Sequence, residues 1–356
     1  MRAWLVSIVA VIGCNKKPEC PPQQPCPPVQ PAAAATAAAP SPYFDNTGRD
    51  DALSGGARMI AIQTKLGTFN VWTKRTGNNP RIKVLLVHGG PGATHEYFEA
   101  MDSYFPAAGI EYYFYDELES GFSDKPNKPE LWDPARFVDE IEQIRQALKL
   151  DKSNFYLLGH SWGGILAIEY ALAHQDQMKG VIISNMMASV PAYGKYATDV
   201  LMPKMDQKVL AELKKLEAAK QYESPRYMEL LMGSYYKEHI LRMPPEKWPD
   251  PVNRAFAHLN RNIYVAMQGP SEMGVSGRLE KWDRTPDLPK ITVPTLVIGA
   301  THDTMDPAFM EKMSKQVKHG RFLLCPNGSH LAMYDDQQTY MTGVIKFLND
   351  VDGGKF

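Results

Sequence analysis

Little in this chain points to metal, nucleotide or nucleic-acid chemistry. Its 356 residues hold 39 lysines and arginines against 40 aspartates and glutamates, a formal net charge of -1. Duplex binding normally needs a clustered cationic face, so this balance gives no electrostatic reason to expect a nucleic-acid partner. The nine histidines include no H-E-x-x-H arrangement, and the four cysteines lack the paired spacing of a zinc site. The early glycines form neither a phosphate loop nor a dinucleotide fingerprint. No cofactor and no metal are therefore expected. What the chain does have is length and a 44% hydrophobic content. That is enough for a substantial core, in one large domain with an insertion or in two modest domains.

The first 55 residues differ from the rest. "MRAWLVSIVAVIGC" sets Arg2 before an apolar run that is too short to span a bilayer as a permanent helix, so residues 1–14 read as an export signal. Its ending, "VIGC", resembles the cleavage and lipid-attachment box of bacterial lipoproteins, which would make Cys14 the acylated first residue of the mature protein. Residues 15–55 are rich in proline and alanine and read as an extended tether that cannot bury enough surface to offset the ordering of its backbone. Cys20 and Cys26 could close a local disulfide in an oxidising compartment, or remain idle thiols. The expected location is the bacterial cell envelope, lipid-anchored at a membrane surface or free in the periplasm. A disordered cytoplasmic tail is the alternative.

From Ala57 the pattern alternates between strand and helix. "MIAIQT" and "FNVWTKR" suit an antiparallel pair joined through Lys65-Leu66-Gly67, and "RIKVLLVHG", "GIEYYFYD", "NFYLLG" and "GVIISN" are apolar strands without clean alternation. Between them, Phe137, Ile141, Ile144 and Leu148 recur at helical spacing behind Asp133 and Pro134, a cap and a first-turn proline. Apolar strands separated by helices indicate a mostly parallel sheet covered on both faces, an α/β fold. The sheet signal stops over 191–290, where helical segments rich in methionine and tyrosine read as an inserted cap. It resumes with "VPTLVIGA" and "RFLLC". The expected core is thus 56–190 together with 291–350, closed by a helix over 336–349.

"GHSWG", Gly159 to Gly163, matches G-x-S-x-G between a strand and a helix, the context that gives the motif mechanical meaning. Such a turn thrusts Ser161 into a cleft and aims the Trp162 N–H where negative charge would develop on a carbonyl oxygen. A serine nucleophile needs a base, and the base an orienting acid. Asp303 follows one late strand and His330 follows the next, so the sheet returns both to the edge that holds Ser161. Asp306 and His302 compete for these roles. Asp303 is preferred because it comes sooner after its strand, whereas Asp306-Pro307 looks like a helix cap. His160 starts within the turn rather than facing Ser161, and Cys325 ends an apolar strand as a buried structural thiol. "VHGGPG", Val87 to Gly92, offers the Gly90 N–H as a second oxyanion donor.

On "HGGPG" at 88–92, "GHSWGG" at 159–164, "SDKP" at 123–126, "AMQGPSE" at 266–272 and the late aspartate and histidine, the chain from about residue 57 to 350 resembles the proline iminopeptidase family of α/β-hydrolase serine peptidases. The resemblance implies an α/β-hydrolase core with an inserted helical cap. It also implies release of an N-terminal residue, often proline, from short peptides or aminoacyl amides. An amino-acid amidase, a general aminopeptidase, an esterase with the same triad and a non-catalytic tethered binding protein are the other readings. Glu272, after the Gly269-Pro270 turn, is the leading candidate to hold the substrate ammonium; Glu229 and Glu238, on the preceding helix, are secondary candidates. One stretch departs from the family: "DELESGFS" carries Glu117 where glutamine is common and Glu119 where a glycine is, on a loop expected to border the cleft. These carboxylates could favour a cationic amine or simply face water. Oligomeric state is not legible.

Overall fold

A computed structural model describes residues 42–356. The export signal, Cys14, Cys20, Cys26 and most of the tether lie outside the described residues. Residues 42–55, read as the end of the tether, instead pack on the core. Tyr43 is buried and its hydroxyl donates to Ile110 O at 2.7 Å, while Asp51 pairs with the buried Arg75 at 2.7 Å. One aromatic ring and one buried ion pair anchor a stretch whose composition alone suggested none.

The sheet opens with an antiparallel hairpin, β1 (Ala57–Thr64) and β2 (Gly67–Thr76), turned at Lys65-Leu66. Six more strands follow: β3 (Lys83–Val87), β4 (Glu111–Asp116), β5 (Phe155–His160), β6 (Gly180–Ser184), β7 (Thr295–Ala300) and β8 (Gly320–Cys325). Their order is β1-β2-β4-β3-β5-β6-β7-β8, with β2 antiparallel to β4 and every pairing from β4 through β8 parallel. Central strands β4 to β7 are buried along their whole length, whereas β1 at the edge alternates. This is the burial that helices on both faces impose.

Along β5, Phe155 and Leu157 face one apolar layer and Tyr156 and Leu158 the other. Helices α1 (Pro134–Ala147) and α2 (Trp162–His174) supply the first layer. Asp133 caps α1 by accepting from Ala135 N at 2.9 Å, as its position before Pro134 implies.

Between β6 and β7 the named elements are helical: α3 (Val190–Tyr196), α4 (Gln207–Ala218), α5 (Pro225–Leu231), α6 (Lys237–His239), α7 (Asp250–Ala257) and α8 (Arg261–Met267). The α-helices end at Met267, residues 268–284 run as turns and loop, and a 3-10 helix, Thr285–Lys290, precedes β7. A narrow neck closes the segment, where Val190 N donates to Trp282 O at 2.9 Å and Arg284 N to Ala188 O at 2.7 Å. The chain then completes the sheet with α9 (Pro307–Gln316), α10 (Ala332–Asp335) and α11 (Gln337–Asp352), the last of which covers the second apolar layer through Val344 and Phe347. Among the described residues no helix is long and apolar enough to cross a membrane.

Candidate active site

Parallel strands present their carboxyl ends on one edge, and three loops converge there. Ser161 stands between β5 and α2 with φ 55° and ψ -123°, a backbone region that non-glycine residues rarely occupy. Its neighbours explain how it is held. A Cβ on Gly159 would overlap Gly163 O, one on Gly163 would overlap Val87 O, and one on Gly164 would come within 2.6 Å of Met186 Cβ. The turn is therefore closed by backbone on both sides, and Ser161 N is tied to Ser184 O at 3.0 Å.

Asp303 follows β7 and His330 follows β8. His330 Nδ1 lies 2.8 Å from Asp303 Oδ1, and Asp303 is fully buried. The acceptor-only carboxylate fixes the proton on Nδ1, which leaves Nε2 free to take one. Burial disfavours the imidazolium, but the charge and hydrogen bond of Asp303, with the charge of Glu272, outweigh it and raise the His330 pKa. The other Asp303 oxygen accepts from Asn185 Nδ2 at 2.7 Å. Asn185 was not singled out in the sequence; it follows β6 with φ 53° and also reaches Ser329 O at 3.3 Å. Asp306 caps α9 by accepting from Ala308 N at 3.0 Å, and His302 does not line the cavity that holds Ser161. The base loop is also pinned from the helical segment, since His330 N donates to His239 O at 2.9 Å and Leu331 N to Ile240 O at 2.8 Å.

As the first residue of α2, Trp162 carries an N–H with no intrahelical acceptor. Gly89 and Gly90 line the same cavity, and Gly90 has φ 112°. A hydrogen-bonded chain ties this loop to the other two: Gly89 N donates to Tyr97 Oη at 2.6 Å, which lies 3.1 Å from His160 Nδ1, while His160 Nε2 lies 2.8 Å from His330 O. The carbonyl of His330 requires the His160 proton on Nε2, so Tyr97 donates to Nδ1. Burial, chiefly, holds the His160 pKa well below its ordinary value. His160 is thus a neutral strut between the loops, and its partner Tyr97 had no distinguishing mark in the sequence.

The cavity over this edge has a volume of ≈ 300 Å³ and is lined by Ser161, His330, Tyr236, Tyr264, Glu272 and Arg261 among others. Tyr264 Oη donates to Glu272 Oε1 at 2.6 Å and Tyr193 Oη to the Glu272 carbonyl at 2.5 Å. Burial pushes the Glu272 carboxyl up, opposed by His330 and the two tyrosines. Among the described residues no cationic side chain forms an ion pair with it. The two other glutamates proposed beside it lie elsewhere. Glu229 is exposed and pairs with Arg226 at 3.1 Å, three residues away on one helix, and Glu238 is exposed outside the cavity lining.

Glu117 and Glu119 correct a second expectation. Neither borders the cleft; both are fully buried beneath it. Glu117 Oε2 accepts from the Trp162 indole at 2.9 Å and Glu119 Oε1 from the Trp132 indole at 3.2 Å. Burial raises the Glu117 pKa to about 8, so the group is largely protonated at neutral pH. Two buried indole N–H groups, each in need of an acceptor, draw these side chains inward.

A model of the alpha/beta hydrolase fold matches residues 83–337. Over 297 residues, 83% of this chain and 99% of the relative, the sequence is 58% identical to the proline iminopeptidase of Flavobacterium johnsoniae. The proline iminopeptidase of Elizabethkingia meningoseptica is 56% identical over 300 residues, 84% of this chain and 100% of its own. The crystal structure of proline iminopeptidase from Mycobacterium smegmatis superposes with a TM-score of 0.74 at 27% identity, covering 84% of this chain and 100% of that one.

Proposed function

The chain belongs to the proline iminopeptidase family of α/β-hydrolases, and we propose that it is a serine aminopeptidase that releases an N-terminal proline from short peptides or prolyl amides through an acyl-enzyme. Ser161 Oγ attacks the scissile carbonyl while His330 Nε2 takes its proton, and Asp303 stabilises the resulting imidazolium. The Trp162 and Gly90 N–H groups receive the oxyanion. Collapse breaks the C–N bond, His330 returns the proton to the leaving amine, and prolyl-Ser161 remains. Water then repeats the sequence and frees proline.

The observation that carries the reading is Glu272: a carboxylate in the cavity of Ser161 and His330, oriented by tyrosines and, among the described residues, in no ion pair. A protonated N-terminal imino group supplies the missing charge. A panel of aminoacyl arylamides, esters and longer peptides tests it. Prolyl arylamide should be the best substrate, and its N-acetyl derivative should be inert because the ammonium is gone. Equal turnover of the blocked and free compounds would remove the exopeptidase reading and leave an esterase or amidase.

The proposal extends to location. The "VIGC" ending supports export and acylation at Cys14, with the proline- and alanine-rich stretch as a tether from membrane to enzyme. Mass analysis of protein made with its full N-terminus in a bacterial host decides this. An intact Met1, or a mature terminus other than acylated Cys14, would sink it.

A further inference from the structure

Glu272 accounts for one end of a peptide, and the cavity lining also holds a charged pair, Arg261 with Glu223, that this role leaves unused. Arg261 is the one lysine or arginine among the residues lining the cavity. It opens α8, and α8 is seated directly on the glycine loop of the core: Asn260 N donates to Gly92 O at 2.8 Å and Asn260 Nδ2 to Glu119 O at 2.9 Å. A Cβ at Gly92 would lie 2.6 Å from Ile263 Cγ2, so the helix and the loop carrying Gly90 touch without slack. Arg261 therefore has a fixed base beside the catalytic edge.

Three residues further along α8, on the same face, Tyr264 holds Glu272. The cation on α8 and the carboxylate held by Tyr264 thus both line the cavity. We propose that Arg261 binds the C-terminal carboxylate of a two- or three-residue peptide, so that the site reads both ends of its substrate. This rests on Glu272 holding the N-terminus, as argued above. An extended chain advances about 3.3–3.6 Å per residue, so two or three residues span roughly 7–11 Å. A longer peptide carries its carboxylate past Arg261.

The present partner of Arg261 does not block this role. Arg261 Nε donates to Glu223 Oε1 at 2.6 Å, but Glu223 is 67% exposed, a rim pair of the kind that holds weakly. One further donor reaches Tyr222 O at 3.4 Å. A guanidinium has five N–H donors in a planar fork that suits a carboxylate, and an incoming terminus can take the place of Glu223.

The experiment compares prolylglycine, its C-terminal amide and a prolyl arylamide on the full enzyme. In the wild type, kcat/KM for the free acid should exceed that of the amide by at least about tenfold, mainly through KM. Arg261→Gln should bring the acid-to-amide ratio close to one, Arg261→Lys should retain part of it, and Glu223→Gln should raise it by releasing Arg261. A wild type that treats acid and amide alike overturns the proposal, as does an Arg261→Gln variant that loses both by the same factor. If the wild type turns over the arylamide yet ignores the terminus, only this inference fails. If it turns over none of the three, the aminopeptidase reading fails with it.

Discussion

In the first turn of α2 an added methyl group has nowhere to go, and on α3 it meets nothing. A Cβ on Gly163 would overlap a backbone oxygen of β3, whereas one on Gly194 has no atom within 4 Å. The difference separates two ways of building a site. The sheet edge holds Ser161 by backbone against backbone, where nothing can relax, and the helical segment holds Glu272 by the tips of long tyrosines. Chemistry that must be placed to a fraction of an ångström sits on the first. On the proposed mechanism, selection among substrates falls to the second, where hydroxyl tips rather than packed backbone hold the carboxylate.

The largest losses are expected at the reacting groups. Ser161→Ala should cost on the order of 10⁴–10⁶ in turnover of prolyl arylamide, with the fold intact by circular dichroism. Asp303→Asn should cost about 10⁴, because the amide admits the wrong tautomer of His330. Asp306→Asn is the control: it alters a helix cap and should change stability by no more than about 1 kcal/mol. A larger loss of turnover in Asp306→Asn than in Asp303→Asn would move the acid to Asp306.

Next comes the frame itself. Gly163→Ala must push α2 away from β3, and a shift of about 1 Å at the nucleophile can cost 10²-fold in rate. Turnover of every substrate, esters included, should fall by that order together. A variant that keeps wild-type rates would mean the elbow is softer than its contacts imply.

Glu272→Gln probes the other region and should be selective. We expect kcat/KM for a free-amine prolyl arylamide to fall at least about tenfold, about 1.4 kcal/mol, while a small neutral ester loses much less. A pH effect accompanies it. Glu272 is one of the charges that raise the His330 pKa, so its removal lowers that pKa, and the acid limb of the ester profile should move to lower pH. Equal loss on both substrates would point to disturbed packing of the helical segment, and an unmoved acid limb would separate Glu272 from His330.

This division also explains what could be read in advance. The strands, the elbow and the choice of Asp303 over Asp306 follow from local rules: a glycine where a side chain would collide, an acid soon after a strand, a proline behind a cap. The expected site of Glu229 and Glu238 followed no such rule, because helical spacing says which residues share a face and not which face meets the cavity. Glu229 turned out to share its face with Arg226. Glu117 and Glu119 looked like rim carboxylates until the indoles of Trp162 and Trp132 supplied a reason to bury them. Asn185, Tyr97 and His160 act across strands far apart in sequence, and no spacing rule connects them. Residues 42–55 were hidden by their neighbours, since a tether-like composition masks a single anchoring tyrosine.

Burial of Glu117 makes stability depend on pH. Its folded pKa is raised from 4.5 to about 8, so the stability present below the unfolded value is lost progressively as pH rises through that window. Glutamine keeps an acceptor for the Trp162 indole and never ionises. Glu117→Gln should therefore match the wild type in urea melts near pH 4.5 and gain on it steadily as pH rises toward 8. A difference independent of pH would show that packing rather than charge separates the two.

The smallest expected effect falls on α3. Gly194 is helical, with a backbone any residue can adopt and open space where its Cβ would stand. Alanine there removes conformational freedom from the unfolded chain and fills no occupied volume, so Gly194→Ala should stabilise by about 0.4–1 kcal/mol. For a chain of this size that is a rise in melting temperature of about 1–3 °C, measured against unchanged kcat and KM on prolyl arylamide. The same single methyl at Gly163 is expected to cripple the enzyme. If Gly194→Ala instead destabilises, the helical segment is as tightly fitted as the sheet edge, and the tolerance that would let its glutamates and tyrosines be retuned is not there.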